Sequence, residues 1–388
     1  MNFAAADLSA EDRQFWLEVH EFMDVHVTER VIEEEYASGA GMNEEVHRAL
    51  GERGWLMPQW AVEDGGMDAS PLQLAILNLE LSMHEVPMIT AGTTRLVAPA
   101  VARWGSDDLK DEVLPGVASG AIRFCLGYTE PDAGSDLAAV KTRAERDGDE
   151  WTVNGQKMFT TGAQNCQYCF LLTRTNAEVA KHKGLTMFLM PLASTGIEVT
   201  PIYTLGRERT NIVFYDEVRI DDRYRIGEVD RGWEVLNGPL SEEHEMGKMA
   251  AYDAAPGGEF TQTLVRSFDA AVAWTAGGTT NVEDVPSARA ALARVAMDIE
   301  LSGLTSGLMG RVASSELLVR SASSLVDVVG PLALLARGSD GAVGNGIIEY
   351  AHRYAQGTAT YGGTTNIHRN LIAEQVLGLP RSRPRRSE

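Results

Sequence analysis

Residues 126–136 read Leu-Gly-Tyr-Thr-Glu-Pro-Asp-Ala-Gly-Ser-Asp, and the fold can be argued outward from this stretch. A β-strand runs into a turn in which Pro131 fixes one backbone dihedral angle and Gly134 permits an unusual one. Such a turn exposes backbone N–H groups together with the hydroxyls of Thr129 and Ser135. The stretch therefore suits a flat hydrogen-bonding ring system or a pyrophosphate, although a capped surface turn would read the same way.

A second informative stretch follows in residues 154–163, which read Asn-Gly-Gln-Lys-Met-Phe-Thr-Thr-Gly-Ala. Asn154-Gly155 predicts a type I′ hairpin turn. We expect the turn to lead into a strand that carries Phe159 beside Thr160 and Thr161. Taken alone, this stretch is also compatible with an ordinary β-strand.

The pattern of the chain changes on both sides of these two stretches. Before them, Phe15, Val19, Phe22, Met23 and Val27 recur at spacings of three and four, which predicts an amphipathic helix. A second helix is predicted around Leu72, Ile76, Leu79 and Met83, with Leu74, Leu77 and Leu81 as a further apolar stripe. Strands are predicted around residues 151–153, 170–172, 186–190, 197–199 and 212–214, and Asp147-Gly148-Asp149 predicts a hairpin turn. Helical periodicity returns after Gly232.

This layout predicts an α+β protein with four segments. Residues 1–123 form an N-terminal helical domain, residues 124–232 a middle antiparallel β domain, and residues 233–380 a C-terminal helical bundle. Residues 381–388 form a basic tail, expected to be solvated.

Composition excludes several classes of protein. The 388 residues carry a net charge of −21, which disfavours nucleic-acid binding because a phosphate backbone would be repelled. No apolar run reaches the roughly 20 residues that span a bilayer, and the first residues do not form a signal peptide. Three cysteines cannot build a disulfide framework. We therefore expect a cytoplasmic protein that does not bind membranes, and no metal site, since Cys166-x-x-Cys169 lacks a second ligand pair.

Together with other motifs, the two stretches resemble the acyl-CoA dehydrogenase family of flavoproteins. The resemblance covers nearly the whole chain, and the steroid-degrading actinobacterial members are the most similar in motif pattern. The supporting motifs are Gly54-Trp55, Asp64-Gly65-Gly66, Trp104-Gly105-Ser106 and residues 361–370, which read Tyr-Gly-Gly-Thr-Thr-Asn-Ile-His-Arg-Asn. The family fold has an N-terminal helical domain, a middle β domain and a C-terminal four-helix bundle.

The resemblance implies FAD as cofactor and an acyl-CoA as substrate. The implied cofactor-binding residues are Leu126, Tyr128, Thr129, Gly134, Ser135, Phe159, Thr160, Thr161, Thr364, Thr365 and Asn366. Phe159 would pack on the isoalloxazine ring and the Thr161 hydroxyl would point at N5. Ser135, Gly362 and Gly363 would also contact the substrate.

One departure from the family pattern concerns the catalytic base. The position just before the Gly-Thr of the C-terminal loop, where most members carry the catalytic glutamate, is Gly362. Some members carry the glutamate on the helix after the middle domain, and counting from Gly232 places Glu243 at that position. The same acidic run also fits a helix N-terminus with no catalytic role, and on that interpretation Glu242 and Glu245 are equivalent to Glu243.

A second departure concerns contacts that the family makes across a subunit interface. The expected Arg-x-x-Phe-Gly segment is missing between Glu259 and Ser287, and Asp327-Val328-Val329-Gly330-Pro331 stands where a Gln-x-x-Gly-Gly segment is expected. An aspartate would repel the pyrophosphate and a proline would remove an N–H donor. We therefore expect a tetramer, homomeric or with a related subunit that supplies the missing contacts.

The resulting expectation is FAD-dependent α,β-dehydrogenation of an acyl-CoA with a bulky or branched acyl chain, and an electron-transfer flavoprotein or similar acceptor as partner. The alternatives are a non-catalytic partner subunit of a heteromeric enzyme and a family member with altered chemistry.

Overall fold

The computed structural model describes residues 8–244, 258–277 and 285–380, and for residues 239–244 it describes the backbone only. These residues divide into two compact units, the first ending at Glu243 and the second beginning at His244. Glu242 and Glu243 thus have described backbone but undescribed side chains. Glu245 and the basic tail lie outside the described residues.

The first unit begins with six helices. They are α1 (Ala10–His26), α2 (Glu29–Ser38), α3 (Glu44–Glu52), α4 (Pro71–Met83), α5 (Ile89–Trp104) and α6 (Asp107–Ser119). Local chemistry explains the start of α4. The Ser70 hydroxyl accepts from the backbone N–H of Gln73, the Gln73 side chain accepts from the backbone N–H of Ser70, and Pro71 occupies the first turn.

The helices predicted from sequence periodicity are α1 and α4. The predicted stripe of α1 is buried, as expected. In α4 the buried stripe is Leu74, Leu77 and Leu81 together with Ile76 and Leu79, whereas Leu72 and Met83 are exposed near the helix ends.

An eight-stranded sheet follows. The strands are β1 (Phe124–Gly127), β2 (Arg143–Asp147), β3 (Glu150–Lys157), β4 (Tyr168–Arg174), β5 (Leu185–Pro191), β6 (Ile197–Tyr203), β7 (Arg209–Asp221) and β8 (Arg225–Ile226). Their order is β6-β7-β3-β2-β4-β5-β8, with β1 also paired to β4. The pairs are antiparallel, as predicted, except for β1–β4 and β2–β4, which are parallel. Helix α7 (Gly232–His244) comes after the sheet.

Apolar side chains pack on both faces of the sheet, so the middle of the unit is buried on two sides. Phe124, Phe170 and Leu189 lie in the cluster that also holds Val97 and Val113 of the helices. A second cluster contains Trp151, Phe188, Val213 and Tyr215.

The two hairpin predictions have different outcomes. β2 and β3 are joined by Gly148-Asp149, with Asp147 opposite Glu150, which confirms the first. The prediction of a turn at Asn154-Gly155 is wrong, because both residues lie inside β3, where the pairing with β7 shifts register. Gly155 has a φ of +147°, and a Cβ there would lie 2.6 Å from the Thr142 hydroxyl oxygen. A glycine is therefore needed here, because the strand bulges at this point and its backbone lies close to Thr142.

The second unit is a helical bundle, as predicted. Helices α8 (Gly258–Gly277), α9 (Pro286–Leu304), α10 (Gly307–Val329) and α11 (Ile347–Thr358) surround a core that includes Leu264, Leu318, Leu325 and Ile348. The short α12 (Thr365–Leu371) continues as a π-helical turn, Ile372–Val376. Within the described residues one segment, Gly307–Leu334, has the length and apolar composition of a membrane span, a property that core helices of soluble proteins share.

Candidate functional site

The turn after β1 is held by backbone hydrogen bonds. Glu130 N donates to Ala133 O at 3.0 Å and Ala133 N donates to Glu130 O at 3.1 Å. This pairing closes the loop over Pro131 and leaves Gly134 and Ser135 exposed. Leu126 and Thr129 are half-buried, and the Tyr128 side chain is buried. The turn thus exposes Gly134 and Ser135, whereas Thr129, which was predicted to be exposed together with Ser135, is half-buried.

A buried ion pair joins this turn to the second stretch. Lys157 Nζ lies 2.8 Å from Glu130 Oε1, and the two side chains are 0% and 5% exposed. Lys157 Nζ also donates to Tyr128 O at 3.0 Å. The other carboxylate contacts are the backbone N–H groups of Lys141, at 2.6 Å, and Thr142, at 2.9 Å. Glu130 therefore ties the turn to β3 and to the segment that enters β2.

Burial and pairing act in opposite directions on these two groups. Burial raises the pKa of Glu130, but the charge of Lys157 and the hydrogen bonds from Lys157, Lys141 and Thr142 outweigh it, so the pKa lies below its usual range. Burial lowers the pKa of Lys157 to about 8, against the pull of the Glu130 charge. Near neutral pH the pair is ionised and acts as a fixed link between the two stretches.

The residues after Lys157 leave the sheet. Met158 N donates to Thr129 O at 2.8 Å, which places this segment directly against the turn. Phe159 was predicted on a strand, which is wrong: it follows the end of β3 and has a left-handed φ of +60°. Its side chain is 56% exposed. A large aromatic residue in this conformation is uncommon, and such strain is typical of functional sites.

Two residues of β7 hold the loop behind Phe159. Thr160 N donates to Asn211 O and the Asn211 amide donates to Thr160 O, both at 2.9 Å. The Thr161 hydroxyl donates to the Thr210 hydroxyl at 3.0 Å. The Thr160 hydroxyl is buried without a hydrogen-bond partner among the described residues. The structure therefore brings Thr129, Phe159, Thr160 and Thr161 into one connected region.

The charges of the turn are balanced locally. Lys141 lies 2.9 Å from Asp132, and Lys181 pairs with Asp136. All four side chains are exposed. The two lysines near Ser135 are thus already opposed by carboxylates, so the turn carries little net positive charge.

The remaining predicted residues lie in the second unit. Gly362 and Gly363 both have left-handed backbones, with φ of +62° and +83°. Thr364 caps α12, its hydroxyl accepting from Ile367 N at 3.2 Å. Thr365 is buried and its N–H donates to Ala359 O at 3.1 Å, while Asn366 is exposed.

Two further residues support this loop and were not assigned that role from the sequence. The Arg311 guanidinium donates to Thr358 O at 2.8 Å and to Tyr361 O at 2.6 Å. His368 is fully buried with Nδ1 3.0 Å from Thr364 O, and burial lowers the pKa of its imidazole. The nearby Arg369 pairs with Glu316 of α10.

The sequence places Glu243 on the helix after the middle domain, and the residue does lie in the last turn of α7. Its side chain is outside the described residues, so its role as a base stays a prediction. The assignments of individual residues to cofactor and substrate likewise stay predictions.

Besides Arg311 and His368, four residues of the first unit were missed by the sequence analysis: Glu130, Lys157, Thr210 and Asn211. Glu130 and Lys157 lie within residues 126–136 and 154–163. The available signal was one charged residue of each sign in these two neighbouring motifs. Thr210 and Asn211 gave no local signal, because their importance depends on pairing across the sheet.

Three family models match in chain order: the acyl-CoA dehydrogenase N-terminal domain over residues 9–121, the middle domain over 125–222 and the C-terminal domain over 269–377. Acyl-CoA dehydrogenase FadE26 of Mycobacterium tuberculosis is 32% identical over 373 residues, 90% of this chain and 91% of that protein. The chain belongs to the acyl-CoA dehydrogenase family, whose members are flavin-dependent oxidoreductases acting on acyl-CoA.

Solved structures agree. The ChsE4-ChsE5 complex from Mycobacterium tuberculosis contains a chain that is 28% identical, with a TM-score of 0.83 over 97% of this chain and 99% of that one. The Tcur3481-Tcur3483 steroid acyl-CoA dehydrogenase has a chain that is 29% identical, with a TM-score of 0.83 over 98% and 100%. The predicted fold and the predicted resemblance to steroid-type members are confirmed.

Proposed function

We propose that this chain binds FAD and catalyses the α,β-dehydrogenation of a bulky acyl-CoA as one subunit of a heteromeric enzyme. The observation that carries the proposal is the joined pair of stretches: Glu130 and Lys157 fix the turn against the loop in which Phe159 is held exposed. A scaffold subunit with no flavin would have no use for a strained, exposed aromatic at this place.

The residues fit the cofactor in three respects. The exposed Phe159 ring offers a face for the isoalloxazine. The buried Thr160 hydroxyl has no hydrogen-bond partner in the described part of the chain, and Ser135 lies on an exposed turn. A Cβ at Gly134 would meet no atom of the described residues within 4 Å, so these residues leave open space where a ligand would approach the turn. When bound, FAD accepts the hydride that leaves the β-carbon of the substrate.

The chain's own residues would handle the α-proton. In the proposal the Glu243 carboxylate breaks the C–H bond α to the thioester carbonyl and keeps the proton, and backbone N–H groups stabilise the charge that develops on the carbonyl oxygen. Gly362 has no side chain at the loop position where most family members carry the catalytic glutamate, and we infer that this favours bulky, branched or steroid-attached acyl chains over straight ones.

The proposal of a heteromer is based on charge and on the two segments of the second unit that depart from the family's cofactor-binding pattern. The lysines nearest Ser135 are opposed by Asp132 and Asp136, and Asp327 and Pro331 stand where the family has cofactor-binding groups. A second chain would then supply the positive charge for the pyrophosphate. Two solved structures with similar chains are assemblies of two proteins, ChsE4-ChsE5 and Tcur3481-Tcur3483.

The second candidate function is a non-catalytic subunit of such an assembly. It is favoured by Gly362, because the loop position of the usual base has no side chain. The two candidate functions differ in whether Glu243 is needed for turnover. Both are compatible with an electron-transfer flavoprotein or a similar electron acceptor as partner of the complete enzyme.

The test is co-expression with a related chain from the same genome, followed by anaerobic addition of an acyl-CoA panel. We expect the flavin absorbance of the complex to bleach with bulky acyl chains and a Glu243→Gln complex to retain FAD without bleaching. Bleaching that survives Glu243→Gln would contradict the assignment of the base, and an absence of bleaching with every acyl-CoA would favour the second candidate. Full, stoichiometric FAD in the chain purified alone would contradict the heteromer.

A paired substitution tests the flavin surface. Phe159→Asn keeps a residue type that tolerates a left-handed backbone and removes the ring. We expect this variant to lose FAD while remaining folded. Tyr203→Asn, at an aromatic that is 70% exposed on β6, is the matched control and should retain FAD. Equal FAD content in both variants would contradict the role of Phe159.

A further inference from the structure

Helices α1 and α4 bring four polar side chains together in the first unit. None of the four belongs to the proposed flavin site. His20 and Asp24 lie one turn apart on α1, and Glu80 and His84 lie one turn apart at the end of α4. Among the described residues, the group formed by His20, Asp24 and His84 places one ligand atom of each residue within 4.8 Å of the others.

The imidazoles face the carboxylate of Asp24. His20 Nε2 lies 3.9 Å from Asp24 Oδ2, and His84 Nε2 lies 3.5 Å from Asp24 Oδ1. In a tetrahedral zinc site with ligands about 2.1 Å from the metal, neighbouring ligand atoms are separated by about 3.4 Å. Small side-chain rotations would therefore bring all three groups to coordination distance.

The opposite nitrogens of both rings are already oriented by Glu80. His20 Nδ1 lies 2.8 Å from Glu80 Oε2, and His84 Nδ1 lies 2.9 Å from the backbone carbonyl oxygen of Glu80. With the proton on Nδ1 in each ring, Nε2 is the free acceptor in both. Metal-binding histidines in proteins are held in this way, by a carboxylate and by a backbone carbonyl.

Glu80 is itself a fixed group. Its side chain is 3% exposed, and Trp16 Nε1 donates to Oε1 at 2.7 Å. In the described part of the chain the ion pairs of Glu80 are with the two histidines. A buried carboxylate needs a compensating positive charge, and a cation on the far side of His20 would supply it.

We propose that His20, His84 and Asp24 bind one divalent transition-metal ion of the zinc type, with water completing the coordination. Two imidazoles and one carboxylate are ligands that Zn²⁺ prefers, and the donor set does not suit Mg²⁺ or Ca²⁺. The ion links α1 to α4. Glu80 is a positioning residue, since it acts through the histidines and does not touch the metal.

The site is open on one side, which permits exchange with solution. His84 is 19% exposed, His20 44% and Asp24 64%. The ion can therefore enter and leave without unfolding, and a chelator can remove it. This property makes the proposal testable on the folded full-length chain.

The experiment measures zinc directly. The tag-free full chain is treated with EDTA, dialysed against Zn²⁺ and then against metal-free buffer, and its zinc is determined by mass spectrometry. We expect one Zn²⁺ per chain, a higher Tm with Zn²⁺ than with EDTA, and a Co²⁺ derivative with the visible absorption of a tetrahedral site.

The variants identify the ligands. His20→Ala and His84→Ala should lose the ion, and Asp24→Asn, at a mostly exposed side chain, should lose it without disturbing the fold. Glu80→Gln should weaken zinc binding by about 10–100-fold, the range measured for groups that orient a ligand. His182→Ala, at an exposed histidine in a turn, is the matched control and should bind zinc like the parent.

Two outcomes would overturn the proposal. One is zinc content that is unchanged in Asp24→Asn and both histidine variants, which would place the ion elsewhere. The other is an absence of bound Zn²⁺ and Co²⁺ in the parent chain, which would mean that Glu80 is buried without a compensating metal ion. Both readouts are independent of FAD content and turnover, so a failed flavin function leaves this test intact.

Discussion

At the scale of single residues, the Glu130–Lys157 pair matters most because it joins the two stretches from which the fold was argued. The net contribution of the pair to the free energy of unfolding is small compared with the loss of stability when only one of the two residues is removed. A buried pair gains Coulomb energy roughly equal to the desolvation it suffers, but a single partner left behind is an uncompensated buried charge. The pair thus specifies which segments meet.

The buried Glu130–Lys157 pair predicts the result of a double-mutant cycle. Lys157→Met should lower the free energy of unfolding by about 3–5 kcal/mol, because the Glu130 carboxylate remains buried without its partner. Combining it with Glu130→Gln should recover part of the loss. Urea unfolding followed by circular dichroism measures both. Lys141→Met, at the exposed pair with Asp132, is the control and should change stability little. Additive losses in the double variant would contradict the coupling.

The same pair predicts a dependence of stability on pH. The pKa of Glu130 in the folded chain lies below its ordinary value of 4.5, so below that value the unfolded chain binds more protons than the folded one. The contribution of Glu130 is therefore present above pH 4.5 and is lost as pH falls through its folded pKa. Urea midpoints measured from neutral pH downward should fall more steeply in the parent than in Glu130→Gln. Parallel curves would contradict the shift.

At the scale of elements, the sequence predicts those helices and strands whose patterns are local. The stripe from Phe15 to Met23 and the Gly148-Asp149 hairpin depend on residues close in sequence, and both are as predicted. Asn154-Gly155 carries an equally strong turn signal, yet the strand continues through it because pairing with β7 on one side and contact with Thr142 on the other decide the conformation. Tertiary contacts here override local preference.

The candidate site shows the same division. Its hydroxyls and its aromatic could be singled out from sequence, since they lie in two short motifs. The left-handed backbone of Phe159, the clamp by Asn211 and the link through Lys157 could not, because each depends on which strands become neighbours. The side chain of Glu243 lies beyond what the structure describes, and the sequence argument for it stands on counting alone.

The loop before α12 gives a prediction about the missing glutamate. Gly362 has a φ of +62°, where an L-residue costs about 1–2 kcal/mol. Gly362→Glu should therefore destabilise the protein by about this amount and should not restore turnover in a Glu243→Gln background. Thermal unfolding and flavin bleaching measure the two effects. Gly277→Ala, at the end of α8 where a Cβ would meet no described atom within 4 Å, is the control and should not destabilise. Recovered turnover would mean that the loop can carry the base.

At the scale of the whole molecule, net charge dominates the association of this chain with other chains. A net charge of −21 makes any two copies repel, and this repulsion weakens as salt shortens the screening length. The proposed second chain must instead bring positive charge to the pyrophosphate, so its attraction to this chain weakens under the same conditions. The two kinds of assembly therefore respond to salt with opposite sign.

We accordingly predict opposite salt effects on self-association and on the heteromer. Between about 0.01 M and 0.15 M ionic strength the screening length falls from about 30 Å to about 8 Å. Over this range the isolated chain should shift toward larger species in analytical ultracentrifugation, because the repulsion of its net charge is screened. The co-expressed complex should form more slowly over the same range, measured by mixing separated subunits and following the return of flavin absorbance. A complex that forms faster as salt is added would mean that its partner is as acidic as this chain, and the pyrophosphate would then have to be neutralised by residues of this chain itself.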